Sequence, residues 1–469
     1  MTKKGYADIV LGLQFGDEGK ARVIDNLAKD YDIIARFNGG SNAGHTISQG
    51  ETKVALNQIP SGIFYPHTTL YIGSGCVVNI EKTVAEINKI KAIGIDLSQR
   101  LKISSQASII QPHHILLDGI LGKSVGTTRN GIGPSYADRA MRMYGKRMVN
   151  IRLGDFLDNS DDFLMATLTN LEEIIKEYKI KDVNPDELMQ SLKIAFDEIK
   201  PYIELDPLYM DKRVSGGATV LFEGAQSVML DVAKGSVPYV TSSNTLAAAA
   251  YTGGDLSPKY HRKTIGVVKA IMSRVGFGPF PSEFGGHRSE EYSMERTGED
   301  VSKYDKASEQ AYDVEKYIKS DDLFEVGIAL RVLSGEYGTV TARPRRVGCF
   351  DLVLLAYTIK MNGVDELIIT KCDLLKEYSR TKSGKMPMVK EYKLDGKIID
   401  YVPGATSAFY RVEPTIKDYE TFTEDISGIR TFEELPTAIK NFVKEVETIS
   451  NTKVIGLGVG PKRDQYITL

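Results

Sequence analysis

Residues 7–20 read ADIVLGLQFGDEGK, an apolar run that passes directly into a glycine-containing loop. The run at 7–13 lacks polar alternation, which indicates a strand buried on both faces. Glycines between a strand and a helix let the backbone approach phosphate oxygens, and the N-terminus of the helix adds N–H donors. The stretch therefore predicts a strand, an anion-binding loop and a helix, in that order.

Similar apolar runs recur along the chain, with helical patterns between them. The predicted strands are residues 31–36, 218–222, 263–271, 365–371 and 453–457, and the clearest predicted helices are 79–92 and 432–449. Strands that alternate with helices favour an α/β fold with a large, mainly parallel sheet covered by helices.

The chain is predicted to be one domain over residues 1–469, with two insertions. Residues 155–213 are rich in charge and in helix formers, which indicates a helical insertion. Residues 284–325 are polar, and we expect most of them to form a solvated surface excursion.

Composition narrows the classes of partner. The chain has 469 residues with 59 basic and 62 acidic side chains, and this near balance argues against nucleic acid as the main partner. Cys76, Cys349 and Cys372 are far apart in the sequence, which suits a reducing compartment and offers neither a disulfide framework nor a zinc pattern. No apolar stretch is long enough to span a bilayer. We therefore expect no membrane partner and a cytoplasmic location, in the host cytoplasm if the source is viral.

The first loop has the residue types of a nucleotide site. Lys20 can reach the outer phosphates of a nucleoside triphosphate, but the loop is not a Walker A motif, because Gln14 and Ala21 replace its Gly and its Ser or Thr. The usual hydroxyl ligand for magnesium is therefore missing. Asp17 is the candidate to bind the ion instead, or to act as a general base. A structural glycine turn with a solvated lysine would explain the loop about as well.

The second loop, residues 38–46, reads NGGSNAGHT and follows the strand predicted to end near Arg36. A lone histidine is more often structural than catalytic. His45, however, lies among small residues on a predicted loop, with little apolar context to bury it. Its imidazole is a candidate to transfer a proton or to stabilise charge on a transferring phosphoryl group.

Together the two loops resemble the adenylosuccinate synthetase family, which carries a GDEGKGK-like loop followed by a GGxNAGHT-like loop. Further matching segments follow in family order: GTTRNGIGPSY at 126–136, FEGAQ at 222–226, PYVTSSNT at 238–245, RVGFGPFPSE at 274–283, GTVTARPRRVGCFD at 338–351, ITKCD at 369–373 and GVGPKRD at 458–464. The resemblance covers almost the whole chain apart from the two insertions, and it implies a P-loop-like GTP-binding fold.

The resemblance implies a ligase that joins L-aspartate to IMP through a 6-phosphoryl intermediate, giving adenylosuccinate, GDP and phosphate. Asp17 would take the N1 proton of the purine monophosphate and bind Mg²⁺, and Lys20 would contact the phosphates of GTP. The backbone of Gly44 would help to hold the metal, and His45 would assist phosphoryl transfer. Arg142 matches an arginine that reaches the monophosphate of a neighbouring subunit, which implies a homodimer.

The resemblance also assigns residues to each ligand. The implied catalytic residues are Asp17, His45 and Gln226. The GTP site would comprise Gly16, Glu18, Gly19, Lys20, Gly44, Thr46, Lys371, Asp373, Gly458 and Gly460. The purine monophosphate site would comprise Asp17, Asn42, Thr128, Arg142, Gln226, Thr241, Val275 and Arg343. Aspartate would contact Thr341, Arg343 and Arg345, and the Mg²⁺ ligands would be Asp17 and Gly44.

Departures from the family pattern keep two alternatives open. The residues that depart from the pattern lie near the expected ligand residues, at Ala21, Arg22, Ser41, Ala247–Ala250, Val340, Ala342, Cys349 and Phe350. A phage branch of the family uses dGMP, with ATP or dATP as further options, to make N6-succino-2-amino-2′-deoxyadenylate. This chain retains Asp17 and Asp373, which argues for IMP and GTP. The remoter alternative, a GTP-binding regulator without ligase activity, has no use for the arginine pair Arg343 and Arg345.

Overall fold

The computed structural model describes residues 4–42, 44–50, 52–122, 127–297, 301–338 and 342–469. The chain forms two compact units, each built from three stretches of sequence. The first unit is Met1–Val10, Lys20–Ala225 and Thr241–Lys263, and the second is Leu11–Gly19, Gln226–Val240 and Thr264–Leu469. Among the described residues, no helix combines the length and the apolarity that are needed to cross a bilayer.

Strands and helices are interspersed along the described residues. The strands are β1 Tyr6–Gly12, β2 Ile33–Arg36, β3 His45–Gln49, β4 Thr52–Leu56, β5 Thr69–Ile72, β6 Val77–Val78, β7 Leu101–Ser104, β8 Ser108–Ile109, β9 Met143–Tyr144, β10 Arg147–Met148, β11 Ile203–Glu204, β12 Thr219–Glu223, β13 His261–Lys269, β14 Met272–Arg274, β15 Arg296–Thr297, β16 Val301–Ser302, β17 Arg346–Gly348, β18 Phe350–Asp351, β19 Glu366–Thr370, β20 Met386–Leu394, β21 Lys397–Ile399, β22 Glu413–Tyr419, β23 Lys453–Gly458 and β24 Tyr466–Thr468. The helices are α1 Lys20–Leu27, α2 Ile80–Ala92, α3 Pro112–Leu121, α4 Ile132–Met141, α5 Leu153–Asp158, α6 Ser160–Glu177, α7 Pro185–Ile199, α8 Tyr209–Ser215, α9 Ala249–Gly253, α10 Gly286–Met294, α11 Lys306–Glu309, α12 Val314–Ile318, α13 Leu323–Ser334, α14 Leu352–Asn362, α15 Thr406–Tyr410 and α16 Thr437–Ser450.

The first unit contains a parallel sheet in the order β11-β7-β5-β2-β12-β1. Every residue of β2 and of β12 is buried, as expected for strands covered on both faces. The predicted strands and the predicted helix of this unit are confirmed within one or two residues. Helix α2 begins at Ile80 because the side chain of Asn79 accepts a hydrogen bond from the Lys82 N–H at 2.9 Å.

The second unit has its own run of parallel strands, β13-β19-β23, which ends at the antiparallel strand β24. A smaller sheet pairs β20 with β18, β21 and β22. The parallel strands correspond to the predicted strands 263–271, 365–371 and 453–457. The α/β class with mainly parallel strands is thus confirmed in both units.

The two segments predicted to be insertions differ in their secondary structure and burial. Residues 155–213 are largely helical and comprise the end of α5 with α6, α7 and most of α8. Most of the described residues in 284–325 are exposed or half-buried, but the segment also contains a buried charge. Glu309 is completely buried, because its carboxylate accepts from Arg331 at 2.6 and 2.7 Å and from the Tyr337 hydroxyl at 2.6 Å. The boundaries of one domain with two insertions stay a prediction.

Candidate functional site

The first loop is folded by the side chain of Glu18, which is completely buried in the second unit. Its Oε1 accepts from the backbone N–H groups of Gly16 at 2.9 Å and Gln14 at 3.2 Å. Gly16 and Gly19 have φ values of 95° and 82°, a left-handed conformation that glycine adopts without steric cost. Because the carboxylate of Glu18 accepts hydrogen bonds within the loop, the predicted contact of Glu18 with GTP would be made by its backbone.

Asp17 lies on the same loop, with a backbone φ of 60° and a side chain that is 41% exposed. Aspartate is one of the few residue types other than glycine that tolerate the left-handed region. Its Oδ2 lies 2.9 Å from Nη2 of Arg345. The loop therefore presents a partly exposed carboxylate that is already paired with a guanidinium from the predicted aspartate-binding segment.

Arg345 joins Asp17 to a second, fully buried carboxylate, that of Glu336. Nη1 of Arg345 donates to Glu336 Oε2 at 3.1 Å. The ammonium of Lys371 pairs with the other oxygen of Glu336. The structure thus brings together three predicted ligand residues, Asp17, Arg345 and Lys371, around a glutamate that sequence reasoning did not identify.

His45, in the first unit, departs from its predicted environment. It was expected on a loop with little to bury it, but it begins strand β3 and is only 8% exposed. Strand alternation is the reason, because it turns His45 and Ile47 inward and Thr46 outward. Nδ1 of His45 lies 2.5 Å from Oε1 of Glu223, which ends strand β12.

Glu223 fixes the imidazole and is itself fixed by Ser61, whose N–H and hydroxyl both donate to it at 2.8 Å. Burial alone would raise the pKa of Glu223, but His45, Arg36 and the Ser61 N–H lower it to about 2. Burial lowers the pKa of His45, and the cations Arg36 and Lys20 lower it further. At neutral pH the pair is therefore a carboxylate and a neutral imidazole whose Nδ1–H donates to it.

Lys20 is the first residue of helix α1 and is 5% exposed. This confirms the predicted order of strand, loop and helix, and it places Lys20 at the N-terminal, positive end of the helix dipole. In the same unit Asn42 is half-buried, whereas Gly44 and Thr46 are exposed.

The predicted monophosphate residues Thr128 and Arg142 flank helix α4 and are both exposed. Arg142 has a backbone φ of 65°, and its N–H caps the helix by donating to Asp138 O at 2.7 Å. The apolar residues beside it are also exposed, Met141 by 53% and Tyr144 by 63%. Arg142 therefore lies on a surface with apolar character.

Helices α3 and α4 are joined by His113, His114 and Asp138, a group with the composition of a metal site. Both histidine Nε2 atoms lie 3.0 Å from Asp138 Oδ2. Nδ1 of His114 accepts from the Gln111 N–H at 3.0 Å, so its Nε2 bears the proton and has no lone pair for a metal. We therefore interpret the group as a hydrogen-bonded link between the helices.

The remaining predicted residues occupy loops and strand ends. Thr341 lies outside the described residues. In the second unit, Gln226 has a φ of 57°, Val275 is 54% exposed and Arg343 is half-buried. Asp373 lies in the first turn of the 3₁₀ helix Cys372–Arg380. Gly458 is the last residue of β23, and Gly460 follows that strand. Thr241 belongs to the first unit and is half-buried. Their roles stay predictions.

A cavity of about 390 Å³ lies within the first unit, and Asn38 of the second loop is among the residues that line it. Tyr136 and Arg139 of helix α4 are among the residues that line it. Both bond to the neighbouring loop, the Tyr136 hydroxyl to Gly75 O at 2.8 Å and Arg139 Nη1 to Ser74 O at 2.7 Å. None of the predicted ligand residues is among the described residues that line this cavity.

Comparison with known proteins gives the same family over almost the full length. A family profile described as adenylosuccinate synthetase matches residues 9–467. Adenylosuccinate synthetase 2 of Cupriavidus pinatubonensis is 42% identical over 464 residues, covering 99% of this chain and 97% of the relative. The structure of fully ligated adenylosuccinate synthetase from Plasmodium falciparum superposes with a TM-score of 0.83 at 30% identity, covering 99% of this chain and 100% of that one.

A more distantly related structure is that of an enzyme bound to dGMP. The succinoaminodeoxyadenylate synthetase of cyanophage S-2L, bound to dGMP and dATP, superposes with a TM-score of 0.57 at 15% identity and covers 99% of this chain and 96% of that one. At that identity the likeness shows the fold alone, so it does not favour dGMP over IMP. The chain belongs to the adenylosuccinate synthetase family, whose members are ligases that form a carbon–nitrogen bond.

Proposed function

We propose that this protein joins L-aspartate to IMP with hydrolysis of GTP, giving adenylosuccinate, GDP and phosphate. The observation that carries the proposal is Asp17, a partly exposed carboxylate on a glycine loop, ion-paired with Arg345 at 2.9 Å. This arrangement suits a group that must accept a proton from a purine, because the carboxylate is accessible on a loop whose backbone is held in place by the buried side chain of Glu18.

The proposed reaction needs activation because the oxygen at carbon 6 of the purine is a poor leaving group. Asp17 would remove the N1 proton, which places negative charge on that oxygen and makes it a nucleophile towards the γ-phosphate of GTP. The bond from that oxygen to the γ-phosphorus would form as the bond to GDP breaks, and GDP would leave. The amine of aspartate would then attack carbon 6, lose a proton and displace phosphate as the carbon–oxygen bond breaks. Positioning and charge stabilisation are the main demands of the phosphoryl step.

His45 would serve that step in the orientation that its hydrogen bond with Glu223 imposes. In the ligand-free protein, burial and the cations Arg36 and Lys20 keep the imidazole neutral. A bound polyphosphate would offset those positive charges and favour the protonated imidazole, with Nε2–H as a donor to a phosphoryl oxygen. Lys20 would contribute a further positive charge for the phosphates.

A divalent metal ion fits the chemistry of the proposed donors. The Asp17 side chain is 41% exposed and would supply a carboxylate oxygen, and the exposed residue Gly44 would supply a backbone carbonyl oxygen. Both are of the oxygen type that Mg²⁺ prefers. When bound, the ion would neutralise charge on the GTP phosphates.

Recognition of GTP and of aspartate would use charged residues of the second unit. A carboxylate at position 373 can accept hydrogen bonds from guanine N1 and N2, where adenine has no matching donors. Arg343 and Arg345 offer bidentate donors for the two carboxylates of aspartate. Thr341 would add a hydroxyl.

The assay that tests the proposal is phosphate release by the purified protein with Mg²⁺, aspartate and GTP, offering IMP or dGMP, and repeated with ATP. We expect turnover with IMP and GTP, no release without aspartate, and at least about tenfold lower kcat/KM with ATP, because Asp373 would face an unmatched base edge. Turnover with dGMP but not IMP would instead establish the phage-type reaction. Aspartate-independent release would favour a GTP-binding regulator.

A homodimer with shared sites is the proposed assembly. Exposed Arg142 beside Met141 and Tyr144 gives a cation on an apolar surface, as expected at the edge of a subunit interface.

Subunit mixing tests this assembly. Asp17→Asn and Arg142→Leu should each be nearly inactive alone, but a heterodimer of the two would contain one intact site. Random exchange makes about half of the dimers heterodimers, so about a quarter of wild-type activity should return. Each variant taken through the same exchange alone is the control. No recovery, with heterodimers demonstrated by differently tagged subunits, would place Arg142 in its own subunit's site.

A further inference from the structure

Glu336, which has no role in the proposed reaction, is the centre of a buried charged cluster in the second unit. Its side chain is completely buried, between helix α13 and the loop that carries Arg345. Its carboxylate accepts from the Ser273 hydroxyl at 2.7 Å and from Arg345 Nη1 at 3.1 Å. It also pairs with the ammonium groups of Lys371 and, at 3.5 Å, Lys269.

The backbone holds the same residues together. The N–H of Arg345 donates to the carbonyl of Glu336 at 3.0 Å, so the glutamate and the arginine are linked at main chain and at side chain. Lys371 has a φ of 59°, a left-handed conformation that is rare and costly for a lysine. Such a conformation persists only where the surroundings fix it, and the ion pair with Glu336 is one such restraint.

The charges of the cluster do not cancel. Three cations, Lys269, Lys371 and Arg345, share the carboxylates of Glu336 and Asp17. Burial would raise the pKa of Glu336, but the three cations hold it well below its usual range. Burial lowers the pKa of Lys269 to about 8, although Glu336 opposes that shift. The cluster thus has one surplus positive charge, which suits an anionic ligand.

From this geometry we propose that Glu336 is a positioning residue, whose carboxylate orients Arg345 for the carboxylate of aspartate and Lys371 for the guanine nucleotide. The inference rests on the proposed function of these two residues and extends it to a shared anchor. Arg345 divides its guanidinium between two carboxylates, Nη1 to Glu336 and Nη2 to Asp17. Glu336 would keep Nη1 in place while Nη2 leaves Asp17 for the substrate.

Removal of the Glu336 charge has two opposing electrostatic consequences. The cluster becomes more positive, which by itself would tighten the binding of anions. However, Arg345 would retain Asp17 as its carboxylate partner in the cluster and could pair with it through both nitrogens. Lys269, buried without its counter-ion, would tend to lose its proton. We therefore expect the loss of orientation to dominate and binding to weaken.

The test is steady-state kinetics of the full-length protein with Glu336→Gln, which keeps the shape and removes the charge. We expect the KM values for aspartate and GTP each to rise at least about tenfold, the usual scale for losing a group that orients ligand residues, and the KM for IMP to change less than about threefold. Glu336→Asp restores the charge on a shorter side chain and should recover part of the loss.

Asp351→Asn is the matched control, because Asp351 is a buried carboxylate of the same unit that accepts from two backbone N–H groups and from Tyr392. It should lower the melting temperature without changing the KM values selectively. Ser273→Ala removes one hydrogen bond to Glu336 and keeps all charges, so it supplies a milder variant with the same direction of effect if Glu336→Gln does not fold.

The positioning role would be overturned if a folded Glu336→Gln variant had unchanged KM values. It would also be overturned if the KM values for all three substrates rose equally, as expected for a generally loosened protein. Failure of the proposed function is separable, because the wild type would then show no turnover with IMP, GTP and aspartate. In that case a fluorescent GDP analogue still reports on Lys371, and its affinity should fall at least about tenfold in Glu336→Gln.

Discussion

Asp17→Asn is expected to lower kcat by at least about 10³-fold while the protein stays folded and still binds GDP. A positioned general base contributes about 10²–10⁴-fold to a proton transfer, and Asp17 would also lose its charge as a metal ligand. Arg345 is 10% exposed but keeps Glu336 as a partner, so the substitution leaves no uncompensated buried charge. The loss should therefore appear in kcat rather than in stability.

The pH dependence of the residual activity identifies which role Asp17 plays. Without a carboxylate, hydroxide would have to remove the purine N1 proton. Its concentration rises tenfold per pH unit, so the remaining rate should rise by about tenfold per pH unit. If Asp17 were only a metal ligand, the residual rate would follow the pH profile of the wild type. Raising the metal concentration would then restore activity, which it should not do for a missing base.

The matched control is Asp395→Asn. Asp395 also has a left-handed backbone, with a φ of 51°, and also pairs with an arginine, Arg411, at 3.0 Å. Its side chain is 62% exposed and lies between β20 and β21. An exposed pair of this kind contributes little, so kcat should stay within about twofold of the wild type. An equal loss of activity in both variants would remove the case for Asp17 as the base.

Much of the fold was predictable from local patterns because its central strands are continuous apolar runs. The predicted strand 218–222 is Thr219–Glu223 in the structure, and the predicted helix 79–92 is Ile80–Ala92 with its cap at Asn79. The shape of the 284–325 segment was not predictable in this way. Its buried Glu309 is neutralised by Arg331, which lies beyond the segment, and pairing at that sequence distance leaves no local signature.

In the candidate site, too, features set by neighbouring residues were predictable and contacts between distant residues were not. The glycine loop and Lys20 at the start of a helix follow from the order of residues. The carboxylates that orient the functional groups do not, because Glu223 is 178 residues from His45 and Glu336 is 35 residues from Lys371. A weak signal existed for Glu223, which is a charged residue at the end of an otherwise apolar strand in the FEGAQ segment.

Glu223→Gln is expected to lower kcat by about 10²-fold with little change in the KM values. The carboxylate accepts from His45 Nδ1 and twice from Ser61, whereas a glutamine has one oxygen acceptor and an NH₂ group. Loss of a carboxylate that orients a functional histidine commonly costs 10- to 100-fold, and more where the tautomer changes. The ring would lose both its fixed orientation and its preferred Nδ1–H tautomer.

The pH profile adds a prediction of definite sign. Glu223 is the main influence that raises the pKa of His45 against burial, so its neutralisation lowers that pKa further. If the protonated imidazole donates to the phosphoryl group, activity falls as the pH rises through the pKa of His45 in the complex. The alkaline limb of the kcat profile should therefore move to lower pH in Glu223→Gln.

Asp8→Asn provides the control for loss of a buried carboxylate in the first unit. Asp8 is completely buried and accepts from Tyr31 at 2.5 Å and from Arg262. Its substitution should lower the melting temperature, because an arginine loses its partner, yet leave kcat within about twofold of the wild type. If Asp8→Asn and Glu223→Gln reduced kcat equally, or if the alkaline limb did not move, Glu223 would support the fold and not the orientation of His45.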